Sequence, residues 1–123
     1  MTLKKAIARF DTLYPNEIPY EQKLEWISEL DGIVYEEIIS LHENSMPTAF
    51  TGYILETPGE TTLLVPFPYD KLYIEYLAAV TELVRGNIQH YNNAFAVAAT
   101  SFDAFAAEYN RTHTPLQGAS IHF

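Results

Sequence analysis

From Ile88 onward, Tyr91, Phe95, Ala98, Phe102, Phe105 and Tyr109 recur at alternating steps of three and four residues. That spacing keeps side chains on one face of an α-helix and is incompatible with the two-residue period of a strand. Continued backwards, the stripe takes in Val84, Thr81, Leu77 and Ile74, with only Thr81 out of character. The whole pattern runs from Tyr69 to Arg111, and Gly86 falls on its outward side. The preserved register favours one long C-terminal helix, straight or kinked at Gly86, over two helices joined by a turn at Arg85-Gly86-Asn87. A glycine followed by an asparagine also suits a helix stop and restart, so both arrangements stay open. A continuous helix of about 40 residues, rising about 1.5 Å each, reaches roughly 60 Å, more than a small domain can cover on both faces.

Within this pattern the window Ala94 to Phe102 carries no charge. It is closed by Asn92 and Asn93 on one side and Asp103 on the other, well short of the ~20 apolar residues a membrane span requires. Small residues, Ala94, Ala96, Ala99, Ser101, Ala104, Ala106 and Ala107, fill much of the remaining circumference. Alanine supports the helix and lets a neighbouring helix approach closely. Two readings follow: an ordinary core helix with an alanine-rich back, or a helix packed by its own subunit on one side and by other subunits on the other. Val97, Ala94 and Ala107 motivate the second, since a solvated back has no need of them.

Upstream, Leu3, Ile7, Phe10 and Tyr14 predict a first helix over about 3–13, with Thr2 as its cap and Pro15 at its end. From Tyr20, Leu24, Ile27, Val34, Ile38 and Leu41 keep one phase and predict a second. Asp31 lies on that apolar stripe and Gly32 follows it, which marks either a local break or a backbone contact. ENSMPTAF has the composition of a loop. Tyr53–Glu56 and Thr61–Val65 are short β-prone runs flanking TPGE, so the sequence predicts a β-hairpin over about 53–65. The expected architecture is therefore mainly α: a helical bundle with one long C-terminal helix and a single hairpin, in one domain over 1–113. Residues 114–123, TPLQGASIHF, read as a flexible tail.

Charge narrows the function classes. The net charge is −9, unevenly placed: residues 1–10 hold Lys4, Lys5 and Arg9 and no acid, whereas 11–60 hold eleven acids against Lys23 alone. Such a balance repels phosphate backbones and argues against nucleic-acid binding. There is no cysteine, which removes disulfides, thiolate metal sites and thiol nucleophiles. The start, MTLKKAIARFDTLYP, lacks the apolar run of a signal peptide.

His42, His90, His113 and His122 stand in no metal-binding spacing, so no metal or cofactor is expected. His42-Glu43 reads as charge near a helix C-terminus. Adjacent carboxylates such as Glu36 and Glu37 point to different helix faces and form no acid/base dyad, and the glycines are isolated. No residue set points to catalysis. The tyrosines, among them Tyr69, Tyr73 and Tyr76, are of the kind that packs cores and protein interfaces.

Three stretches, EQKLEWISELDGIVYEEII, LLVPFPYDKLYIEYLAA and HYNNAFAVAATSFDAFAAEYNRTHTP, together resemble small phage and prophage proteins encoded among head and tail structural genes. Within that group a mainly helical acidic chain of this size resembles the head-to-tail connector, or adaptor, proteins. The resemblance implies a virion structural protein, present in the host cytoplasm during assembly, that self-associates into a ring beneath the portal. Its partners would be the portal and tail or other connector proteins. Under it, Ala94, Val97, Ala98, Phe102 and Phe105 would pack helix against helix, some reaching the next subunit. Tyr53, Leu55, Leu63 and Val65 would carry the hairpin to a neighbour, and the tail from Thr114 would order on meeting a partner. The alternative is a small acidic binding module that inhibits or mimics a nucleic-acid ligand through residues 11–60.

Overall fold

The computed structural model describes residues 1–43 and 48–116. Four helices follow in order: α1 (Leu3–Leu13), α2 (Tyr20–Glu37), α3 (Lys71–Val84) and α4 (Ile88–Thr112), with a 3₁₀ turn at Ile39–Leu41 after α2. α1 starts where the sequence places it. Thr2 is extended and its hydroxyl accepts the Lys5 N–H at 3.2 Å, satisfying one of the first-turn donors. Its apolar stripe, Leu3, Ala6, Ile7 and Phe10, is buried.

α2 runs unbroken through Asp31-Gly32. A Cβ built on Gly32 would meet nothing within 4 Å, so that glycine serves no close approach, and the anomaly belongs to Asp31. Near the start of α2, the Lys23 ammonium is buried and lies 2.6 Å from Asp11 Oδ1 and 3.2 Å from Asn16 Oδ1. Desolvation beside the helix pair pushes the Asp11 carboxyl up, but the hydrogen bonds from Lys23 and Asn16 prevail and hold it below the usual range. The one base among residues 11–60 is thus spent on joining α1 to α2.

α3 is the central helix: α4 lies along it, and α1 and α2 pack against it as well. The long-helix arrangement favoured by the register does not occur. α3 ends at Val84, and the chain reverses through Arg85-Gly86-Asn87 into α4. Gly86 has φ +77°, its N–H donates to Leu83 O at 3.0 Å, and the Asn87 N–H donates to Glu82 O at 3.0 Å. These two bonds form the Schellman closure that a left-handed glycine makes possible. The long C-terminal helix of the expected fold is therefore α4 alone, folded back on α3.

The hairpin over 53–65 is also corrected. Among the described residues there is no β-strand, only isolated bridges between Thr2 and Thr62 and between His42 and Pro115. The turn at the proline and glycine does form, with the Thr61 N–H donating to Pro58 O at 3.0 Å. Its two arms find other partners. Residues 59–63 run beside the N-terminus, through Leu3 N–H to Thr61 O, Lys4 N–H to Gly59 O and Leu63 N–H to Met1 O. The other arm is held on α2, as described below.

Thr114–Leu116, expected in the tail, lie beside residues 41–43: the Glu43 N–H donates to Thr114 O at 2.7 Å and the Leu116 N–H to Leu41 O at 2.8 Å. His42, read as a charge near a helix end, is instead a buried packing element. Its ring nitrogens sit 2.6 Å from Ile38 O and 2.7 Å from Asn110 Oδ1, with Tyr109 edge-on at 4.8 Å. The rest of the expected tail, 117–123, and the loop residues 44–47 lie outside the described residues.

Candidate assembly interface

Asp31 reaches the core because the 53–65 segment and α3 supply donors for it. Tyr53 O–H donates to Oδ2 at 2.6 Å, the Leu64 N–H to the same oxygen at 3.1 Å, and Tyr73 O–H to Oδ1 at 2.6 Å. The Tyr73 oxygen in turn accepts the Val65 N–H at 2.8 Å. Among the described residues no cation pairs with Asp31. Burial pushes its carboxyl above the usual range, and the three hydrogen bonds restrain that rise. Both tyrosine hydroxyls are pushed up as well, first by burial and then by the Asp31 charge, so they remain donors. Asp31 has no exposed surface. It is a hub that positions other segments, and no ligand reaches it.

What the hub positions is the segment before it. Tyr53 N–H donates to Ser28 Oγ at 2.9 Å. Gly52 has φ +100°, and a Cβ there would stand 2.9 Å from the same Oγ, so glycine is required on both counts. A turn follows, with the Thr57 N–H donating to Ile54 O at 2.9 Å and the Ile54 N–H to Thr57 Oγ1 at 2.8 Å. It leaves Ile54 64% and Leu55 58% exposed. These two aliphatic side chains border a groove whose other wall carries Glu21, Glu25 and Glu29 of α2.

The nine residues assigned to an interface divide under the structure. Leu63, Val65, Ala98 and Phe105 are buried in the chain's own core. Phe102 and Tyr53 are partly buried against that core. Ala94 is half-exposed, and Leu55 and Val97 are exposed. The structure does not bring these nine into one patch. Val97 borders a groove with Tyr14, which follows α1, and Leu55 borders the acidic groove on α2.

Sequence reasoning missed part of the exposed apolar surface. Leu83, Val84 and Ile88, around the α3–α4 turn, are exposed, as are Leu13 and Tyr14 at the end of α1. Periodicity assigned Val84 and Ile88 to a continuous helix stripe, which concealed that the stripe outruns its covering, and Leu83 lay off that stripe. Asp31 was legible as an anomaly; its tyrosine donors were not, because they come from residues 22 and 42 positions away.

Among the described residues no group of three potential metal ligands converges, and no helix is long and apolar enough to cross a membrane. The chain matches no protein-family model, no curated protein and no solved structure.

Proposed function

We propose that this chain is a virion structural protein of a phage or prophage, a head-to-tail connector that self-associates into a ring beneath the portal. The observation that carries the reading is the run of exposed apolar side chains at the α3–α4 end, Leu83, Val84, Ile88, Phe95 and Val97. Phe95 and Val97 border different grooves on the two sides of α4, so this end leaves apolar side chains uncovered on more than one side, which marks a contact with another protein more often than a solvated face. The three stretches that resemble phage head and tail proteins support the choice of setting. An acidic surface suits a subunit that lines a DNA path, because repulsion keeps the polymer from sticking.

The test is mass. Light scattering and negative-stain images of the chain mixed with its portal should reveal rings or higher-order species. A chain that ignores portal, stays monomeric and instead titrates a basic DNA-binding protein contradicts the reading and favours an acidic binding module.

A further inference from the structure

Two faces of this chain are complementary to each other and do not meet within one copy. On α1, Lys5, Arg9 and Leu13 follow one another at intervals of four, all exposed. Tyr14, just past Leu13 at the end of the helix, borders a separate groove with Val97 and Ala94. Among the described residues neither Lys5 nor Arg9 forms an ion pair, and residues 1–10 contain no acid. On α2, Glu21, Glu25 and Glu29 have the same interval, are exposed, and face no cation within 4 Å among the described residues. Lys23, the base between them in sequence, is turned inward onto Asp11. Beside these carboxylates stand the exposed Ile54 and Leu55, held there by Ser28, Thr57 and the Asp31 hub.

Each face thus combines charges one helical turn apart, roughly 6 Å at 1.5 Å per residue, with exposed aliphatic side chains. One is basic and the other acidic. Charge complementarity of this kind fixes partner and register, and apolar residues beside the charges supply the buried area that exposed ion pairs lack. Because the faces are unlike, one such contact per face joins copies head-to-tail, the arrangement that generates closed rings or open filaments.

We propose that the α1 face of one copy, Lys5, Arg9 and Leu13, docks on the acidic α2 face of a second copy, Glu21, Glu25, Ile54 and Leu55. This deepens the connector reading and rests on it, since it specifies which surfaces join neighbouring subunits.

The experiment is sedimentation velocity over a concentration series at low salt, on four samples. These are the wild type, the variant Lys5→Glu/Arg9→Glu, the variant Glu21→Lys/Glu25→Lys, and an equal mixture of the two variants. Each variant alone opposes like charges and is expected to associate at least about a hundredfold more weakly than wild type, since such juxtaposition costs several kcal/mol. The mixture is expected to recover association, because each reversed face then meets its reversed complement. Both variants remain net negative, as two reversals move the charge of −9 by four in either direction, so general attraction does not mimic recovery.

Circular dichroism checks that each variant keeps its helices. If one does not, the neutral pairs Lys5→Gln/Arg9→Gln and Glu21→Gln/Glu25→Gln replace the reversals, with an expected weakening of at least about tenfold. Wild type that associates while the variants associate equally well overturns the contact and leaves the assembly reading standing. Wild type that stays monomeric at every concentration overturns the contact, while the connector reading is judged separately by the mixture with portal.

Discussion

The two halves of α4 carry the same stripe and meet opposite fates. From Ala98 onward, Ala98, Ser101 and Phe105 are buried, and Phe105 packs beside Tyr69 and Tyr109. In the N-terminal half, Ile88, Phe95 and Val97 are exposed, and the turn leading in adds Leu83 and Val84. Nothing in the 3-4 spacing distinguishes them. The difference lies in what stands opposite: the residues from Ala98 on join a core built by all four helices, whereas Ala94 and Val97 before them border an open groove with Phe10, Tyr14 and Thr81. A periodic apolar stripe records that a surface is to be covered; it does not record whether the cover belongs to the same chain.

The largest effect expected from breaking this contrast is at Phe105. Phe105→Ala empties a buried ring site and should cost about 3 to 5 kcal/mol in a urea melt. Phe95→Ala, the same change on the same helix at a position 45% exposed, should cost less than about 1 kcal/mol. Equal losses at the two sites would erase the distinction between the halves.

Asp31→Asn tests the hub that ties α2 and α3 to the 53–65 segment. The amide has one acceptor oxygen where the carboxylate has two, so a donor among Tyr53, Tyr73 and the Leu64 N–H is left unpaired, at about 1 to 3 kcal/mol. The pH dependence has a definite sign. Burial raises the carboxyl of Asp31 in the folded state, so between its unfolded value, near 3.9, and that raised value the native state binds the proton more readily. Stability contributed by Asp31 therefore falls as pH rises through this window. The advantage of wild type over Asp31→Asn, followed by urea midpoints from acid to neutral pH, should shrink upward; growth of the advantage with pH contradicts the account.

Gly86→Ala asks whether the two helices are separate. At φ +77°, with open space around the added methyl, the substitution pays only for the left-handed backbone and should destabilise by about 1 kcal/mol. In a continuous helix the same change would stabilise by about 1 kcal/mol, so the sign alone decides.

Much of the helical framework is legible in the sequence because local chemistry determines it. Thr2 and the phase of Leu3, Ile7 and Phe10 suffice for α1, and the stripe through Leu24, Ile27 and Val34 suffices for α2. Gly86 was ambiguous because a preserved register and a Schellman stop can share one sequence. The 53–65 segment was misjudged because β-prone runs around a turn look alike whether they pair with each other or with more distant parts of the chain. Its partners, the N-terminal residues, Ser28 and Asp31, were visible only in three dimensions. Of the residues assigned to an interface, Leu55 and Val97 are exposed. Leu63, Val65, Ala98 and Phe105 are buried in the chain's own core, since apolarity alone does not separate core from contact.

The proposed connector reading takes the exposed apolar side chains of α4 as a contact with another protein of the assembly, and Val97→Glu probes it most directly. Val97 is 53% exposed, so its replacement should change the unfolding free energy by less than about 0.5 kcal/mol while sedimentation velocity shows the loss of assembly formed by wild type. A variant that loses more than about 1 kcal/mol, or that assembles as wild type does, contradicts the claim.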